Sequence, residues 1–249
     1  MRIKKIKFHN INFHNIINFE SISKNFKKGV FICFPSGPGL STLDTDTLYK
    51  KALMKSDFNL FDSGLFVLLL KISNIKVAKY SGFKFIRDIL SFFKFNNINN
   101  FLFVDPSFQI SKQNRNYLKK NFIESKFHHY VAPKYDYANP FDLKLLRIIE
   151  TLKPSFLIIN IGGNIQEKLG LWIKNNSSYN INIVCTGAAI SFLTKSQAPI
   201  NTFIDRFYLG WFVRCFYNPK IFFPRYIRAL TLISIYCKNF KNIMKFYEN

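Results

Sequence analysis

Acidic residues are scarce. The 249 residues hold 14 Asp and Glu against 36 Lys and Arg, a net charge of +22. So large an excess points to an anionic partner: nucleic acid, an acidic membrane surface or a phosphorylated substrate. Part of it has a blander origin. Lys outnumbers Arg 28 to 8, and the crowding with Lys, Asn, Ile and Phe is the bias of an AT-rich genome, which loads solvated faces with lysine. Cysteine is scarce too. Cys33, Cys185, Cys215 and Cys237 stand alone, with no Cys-x-x-Cys, which excludes a disulfide scaffold or a zinc module and fits a reducing cytosol. The basic start Met1-Arg2-Ile3-Lys4-Lys5-Ile6-Lys7 leads into no apolar h-region, as a secretory signal would require. The longest uncharged apolar stretches, such as 64–70 and 229–237, fall far short of the ~20 residues of a spanning helix. Internal repeats, long linkers, a Walker A loop and a complete G-x-G-x-x-G are also lacking.

What is present is a globular composition, 48% apolar and 20% charged, with length for one large or two small domains. Short apolar runs alternate with helical patterns. Strands are expected at 30–34, 58–61, 101–104, near 128–132, at 155–161 and at 181–185. Helices are expected from about Thr42 to Lys55, over 83–94, over 111–122, from Asn139-Pro140 to Leu152 with Asn139 as N-cap, and from about Gln166 to Lys174. A further short helix is expected after Thr186-Gly187, and the apolar stretch 65–72 follows Asp62-Ser63-Gly64. This alternation describes an α/β fold with a largely parallel sheet.

In such sheets ligands bind beyond the carboxyl ends of the strands. Those ends carry Pro35-Ser36-Gly37-Pro38-Gly39, Asp62-Ser63-Gly64, Asp105-Pro106-Ser107, Gly162-Gly163-Asn164 and Thr186-Gly187. Glycine admits close backbone approach, and amides at helix starts attract phosphate. Each segment alone reads equally as an ordinary βα turn; five in register suggest a nucleotide-type ligand.

The last fifty residues hold eight Lys and Arg, two acids (Asp205, Glu248) and fourteen aromatics. Half of all the arginines, Arg206, Arg214, Arg225 and Arg228, fall within 23 residues. AT-rich drift disfavours arginine, and guanidinium suits bidentate contact with phosphate. Interleaved Trp211, Phe212, Phe216, Phe222, Phe223 and Tyr226 fit a membrane interface. The segment alone also fits base stacking on nucleic acid or a core helix with a basic outer face. His9, His14, His128 and His129 show no metal-ligand spacing. As neighbours on a strand, His128 and His129 point to opposite faces.

Gly162-Gly163-Asn164-Ile165-Gln166-Glu167 and Thr186-Gly187-Ala188-Ala189-Ile190-Ser191-Phe192-Leu193 resemble the WecG/TagA/CpsF family of bacterial glycosyltransferases. So do Ala198-Pro199, Leu209-Gly210-Trp211-Phe212-Val213-Arg214, Asn218-Pro219 and Arg225-Tyr226. Order and spacing agree over 155–230 and more loosely back to about residue 30. The resemblance implies a Rossmann-like core over 1–200 and a helical, basic-aromatic, membrane-associating appendage over 201–249. It implies inverting transfer of a hexose or N-acetylhexosamine from a UDP-sugar to a polyprenyl-diphosphate-linked saccharide. The implied setting is surface polysaccharide synthesis at the cytoplasmic face of the inner membrane, with no metal or other cofactor and no nucleic-acid partner; self-association is left open.

By the same resemblance Asp62 matches the candidate base, which would take the acceptor hydroxyl's proton; its other reading is a cap on the next helix. The family's threonine after the first strand has Ser36 as its nearest counterpart, with Gly37 and Gly39 beside it. Gln166 is implied to lie near the uridine, and Gly162, Gly163, Thr186 and Gly187 to line the substrate. Glu167 matches too, although an acid suits a helix's first turn anyway. Arg214 and Arg225, with Arg228 beside them, are implied to neutralise diphosphate. Asn164 stands where the family often has Pro, Ser191 where it has Asp and Gly210 where it has Glu, which marks a divergent branch. The reading from another class is a catalytically degenerate binder of nucleotides or nucleic acid.

Overall fold

A computed structural model describes residues 2–96, 98, 100–122, 126–194 and 210–247. Its centre is a nine-stranded sheet: β1 (Ile3–Phe8), β2 (Ile11–His14), β3 (Phe31–Cys33), β4 (Phe58–Leu60), β5 (Asn100–Asp105), β6 (Lys126–Val131), β7 (Phe156–Ile159), β8 (Asn182–Cys185) and β9 (Met244–Tyr247). The spatial order is β6-β5-β7-β8-β3-β4-β2-β1-β9. The pairings from β6 across to β2 are all parallel. Only β1 runs antiparallel to its neighbours β2 and β9. The expected α/β architecture is therefore present.

The central strands are continuous apolar runs because helices cover both faces. On one face Phe101, Phe103, Phe156 and Ile158 pack with the helix Gly82–Phe95; the rings of Phe93 and Phe101 stack 3.9 Å apart. On the other, Leu102, Val104, Leu157 and Ile159 join Leu145, Ile149, Leu169 and Ile173. The helix Ile165–Asn176 comes close to the sheet at Gly170, where a Cβ would lie 2.8 Å from Phe31 Cε2 and 3.2 Å from Cys185 Sγ.

Two helix starts differ from expectation. Residues 42–55 do not form one helix. A short helix, Gly37–Leu40, is followed by turns, and Asp46 then caps Thr47–Lys55 by accepting from Tyr49 N at 3.0 Å. Asn139-Pro140 stays in a loop, and the helix Leu143–Leu152 starts at Asp142. Asp142 outcompetes Asn139 because it is held from two directions. Its Oδ1 accepts from Leu145 N at 2.8 Å, and its Oδ2 accepts from the hydroxyls of Tyr130 and Tyr135 at 2.9 and 2.7 Å.

The order in which strands are added reverses between the parallel neighbours β5 and β7: β5 leads outward to β6, β7 inward to β8. The carboxyl ends there are tied by Asp105, which is fully buried. It accepts from Asn114 Nδ2 at 2.7 Å and Asn160 Nδ2 at 3.2 Å, and pairs with His129 Nδ1 at 2.7 Å. Such donors are what a buried carboxylate needs.

The C-terminal part is helical: Gly210–Tyr217, Pro219–Ala229 and Thr231–Asn239. Leu232, Ile235 and Tyr236 enter the core, and β9 then closes the sheet edge on β1, with Ile6 opposite Lys245 and Lys7 opposite Met244. No described helix is long and apolar enough to cross a membrane.

Candidate active site

The strand-end segments expected to meet a ligand lie at the carboxyl ends of the parallel strands, and two of them, through Pro38-Gly39 and Gly162-Gly163-Asn164, line one cavity; Asp62, Gln166, Thr186 and Gly187 are not among its lining residues. After β3, Ser36 caps the turn Gly37–Leu40, its Oγ accepting from Gly39 N at 3.3 Å. A Cβ on Gly37 would lie 3.2 Å from Ser63 Oγ and 3.9 Å from Ala229 Cβ, so the loops after β3 and β4 meet the C-terminal helix there. Asp62 does not cap the helix Gly64–Ile72 that follows it; Ser63 does, accepting from Phe66 N at 3.2 Å. Asp62 Oδ1 instead accepts from Gly82 N at 3.0 Å, at the start of the next helix along the chain. That start abuts β8, since a Cβ on Gly82 would lie 3.2 Å from Thr186 O.

Behind these loops sits the Gln-Glu pair. Gln166 Oε1 accepts from Gly187 N at 2.8 Å, and Gln166 Nε2 donates to Glu167 Oε1 at 2.9 Å. Gly187 has a φ of +58°, a backbone that glycine adopts without penalty. Gln166 therefore fixes the turn after β8, and Glu167 fixes Gln166. Glu167 is buried, and its Oε2 has no hydrogen-bond partner among the described residues. Burial pushes its carboxyl up to about 7, against the opposing pull of the Gln166 hydrogen bond and backbone amides. Thr186 Oγ1 donates to Asn160 Oδ1 at 3.4 Å, which links the end of β8 to the Asp105 cluster.

A cavity of about 250 Å³ opens where these strand ends face the helix Pro219–Ala229, lined by Gly39, Thr42, Gly162, Gly163, Arg225 and Arg228, with Tyr137 and Asn164 at its wall. A Cβ on Gly163 would sit 3.6 Å from Ser36 Oγ and 3.7 Å from Arg225 Nη2. Two of the three arginines thus reach the strand ends. Burial pulls the Arg225 guanidinium down from its ordinary value; so strong a base stays charged at neutral pH. Arg214 is not among the lining residues, but it lies close enough to Arg225 for the two charges to repel. Its guanidinium stacks 4.8 Å from the Phe192 ring centroid, and its Nη1 donates to Tyr226 Oη at 3.3 Å. A second cavity, of about 350 Å³, lies at the outer edge of β6 beside His128 and His129, and holds none of the strand-end residues.

Several site residues lie beyond what sequence reasoning reached. Lys168, 2% exposed, pairs with Asp46 Oδ2 at 2.7 Å and donates to Tyr137 O at 2.9 Å. A cation in a helix's first turn opposes the helix dipole, and that was the signal that Lys168 needs an acidic partner. Tyr137 and Thr42 gave no comparable signal. Ala198-Pro199, Arg206 and Leu209 lie outside the described residues. Among the described residues, no group of three or more His, Cys, Asp or Glu could hold a metal ion.

Two comparisons with known proteins bear on this site. No curated protein is similar enough in sequence to count as a match. The family model described as "Glycosyl transferase WecG/TagA/CpsF family" matches residues 1–246. The match takes in the strand-end loops, the Gln-Glu pair and the arginine-bearing helix alike, so the chain belongs to the WecG/TagA/CpsF family and is a glycosyltransferase.

Proposed function

We propose that the protein transfers a hexose or N-acetylhexosamine, with inversion, from a UDP-sugar to a saccharide linked to a polyprenyl diphosphate in cell-surface polysaccharide synthesis. The reaction takes place at the cytoplasmic face of the inner membrane, without a metal. The observation that carries this reading is the arrival of Arg225 and Arg228, from the C-terminal helix, at the cavity formed by Gly39, Gly162 and Gly163. Two guanidiniums over a glycine-lined floor suit a diphosphate, whose charge they neutralise as a divalent cation would elsewhere.

In this mechanism Asp62 accepts the proton of the acceptor hydroxyl. The freed oxygen pair attacks the anomeric carbon, and the bond to the UDP oxygen breaks with its electrons retained by UDP. Gln166 and Gly187, with Glu167 behind them, shape the donor side; Ser36 and Gly37 stand beside the reacting centre; Arg214 braces the segment after β8. Residues 1–200 carry the base and the donor-side residues, and 201–249 bring the arginines to the cavity and carry attachment to an anionic surface. Supporting that division, Trp211, Phe216, Ile221, Phe223 and Ile227 are all more than half exposed on the helices that bring the arginines.

UDP release from a panel of UDP-sugars, with and without a short-chain polyprenyl-diphosphate saccharide, tests the proposal. Release that needs both partners is expected, and Asp62→Asn should lower it by roughly 10²–10⁴-fold while UDP binding by calorimetry is retained. Full activity in that variant removes Asp62 from the mechanism. UDP binding with no transfer from any donor instead supports a degenerate binder.

A further inference from the structure

β6 is the outermost strand on its side of the sheet, and among the described residues no strand pairs with its free edge. Such an edge offers a row of unpaired N–H and C=O groups, which proteins ordinarily blunt with a proline or a bulge. β6 has neither. Its six residues contain no proline, and they pair with Asn100–Asp105 without a shift in register. The edge is also held firmly. On one face of the sheet the fully buried His129 pairs with Asp105, and on the other Tyr130 donates to Asp142. Phe127 stacks on Phe101 with ring centroids 5.3 Å apart. A strand fixed in this way loses little further freedom when another is added.

The cavity of about 350 Å³ along this edge has two unlike lips. On the side of the helix Phe108–Asn121 the lip is Arg115 and Lys119, exposed and one helical turn apart. That helix and β6 contain no acidic residue, and neither cation pairs with an acid among the described residues. On the side of the helix Leu143–Leu152 the lip is the half-buried Ile148 and Leu152, with Leu102 behind them. Successive side chains of an added strand point to opposite faces of the sheet. One set would therefore meet guanidinium and ammonium, and the alternate set aliphatic carbon. A second copy of the chain does not suit this edge. Its own β6 would bring Arg115 and Lys119 against their counterparts, between molecules that each carry a net charge of +22.

We infer that the free edge of β6 is a docking site for an extended segment of another protein, one in which acidic residues alternate with apolar ones. The segment adds to the sheet as a further strand. Main-chain hydrogen bonds supply the pairing, and the alternation selects the partner. The site shares no lining residue with the arginine-lined cavity, so it stands or falls apart from the transferase reading.

Fluorescence anisotropy on the full chain tests this with a labelled synthetic peptide of about eight residues in which Glu alternates with Val or Leu. A peptide of the same composition, with its acids in one block, keeps the charge and loses the alternation. N-methylation of every second amide removes the donors facing β6 in one register and spares them in the other. The alternating peptide should bind, and the block peptide should bind roughly tenfold more weakly. Only one of the two N-methylation registers should abolish binding. Arg115→Ser combined with Lys119→Ser should weaken binding about tenfold. Lys51→Ser combined with Lys55→Ser, an equal loss of charge from exposed positions on the helix Thr47–Lys55, should leave it unchanged. Failure of the alternating peptide to bind overturns the docking site. Equal affinity for the block peptide, indifference to the N-methylation register, or the same loss in both charge variants overturns it too, and reduces the binding to adhesion on a basic surface. Self-association of the free chain that the alternating peptide disrupts gives the edge to a second copy and overturns the acidic partner.

Discussion

Glu167 shows how one buried residue couples the site to pH. Its carboxyl titrates near 4.5 in an unfolded chain and at about 7 here, because burial disfavours the charged form. Between those values the folded protein holds a proton that the unfolded chain has lost. Stability from this group is therefore fully present below pH 4.5 and declines as pH rises to 7. Glu167→Gln keeps an oxygen for Gln166 Nε2 and cannot ionise, so its stability profile should be flatter across that window. Above pH 7 the variant should exceed the wild type by on the order of 3 kcal/mol. His14 slopes the opposite way: burial, helped by Lys5, pushes it down to about 4, so its contribution is lost as pH falls below 6.5. The variant-minus-wild-type difference in urea unfolding cancels His14 and isolates Glu167. A difference that does not change between pH 4.5 and 8 would show that Glu167 is ionised throughout. At this scale the sequence was legible where residue type and position coincided with a motif, as at Gln166 and Arg225. It was not legible at Tyr137 or Asp46, whose roles exist only through partners many residues away.

The helix Ile165–Asn176 carries the Gln-Glu pair, and its distance from the sheet is set by Gly170. Gly170→Ala gains roughly 1 kcal/mol of helix propensity. The new methyl, however, would lie 2.8 Å from a ring carbon of the fully buried Phe31, and overpacking of that kind costs about 1–3 kcal/mol. The variant should therefore melt at a lower temperature and bind UDP more weakly, since Gln166 moves with the helix. An unchanged melting temperature would mean that Phe31 has room to shift. Elements such as β3, β5 and β7 could be read from sequence because central parallel strands are unbroken apolar runs. The edge pair β1 and β9 could not. All four residues of β9 are exposed, so no alternation marks it, and its strand character comes from pairing with the far end of the chain. The start of Leu143–Leu152 was misplaced for a related reason: two tyrosine hydroxyls, invisible to local pattern, decide in favour of Asp142.

For the molecule as a whole, the proposed membrane attachment would draw on two separable contributions, the net charge of +22 and the exposed aromatic helices. Coulomb attraction to an anionic surface is long-ranged and screened by salt; burial of apolar side chains in the interface is neither. Removing residues 201–249 would not separate them, because Leu232, Ile235 and Tyr236 belong to the core and β9 closes the sheet edge. Point changes on the outer face are cleaner. Phe223 and Ile227 are 59% and 52% exposed on the helix whose Arg225 and Arg228 reach the cavity. Replacing both with Ser removes apolar area without altering net charge. Each such side chain contributes up to roughly 1.5–3 kcal/mol when fully buried, so partial immersion of two should weaken vesicle binding at least tenfold. The loss should persist in high salt, where the wild type retains its apolar component. Activity on a water-soluble acceptor should be preserved and activity on a lipid-linked acceptor in vesicles should fall. Equal sedimentation of variant and wild type with anionic vesicles at high salt would place attachment elsewhere, leaving the charge to act as an unspecific adhesive.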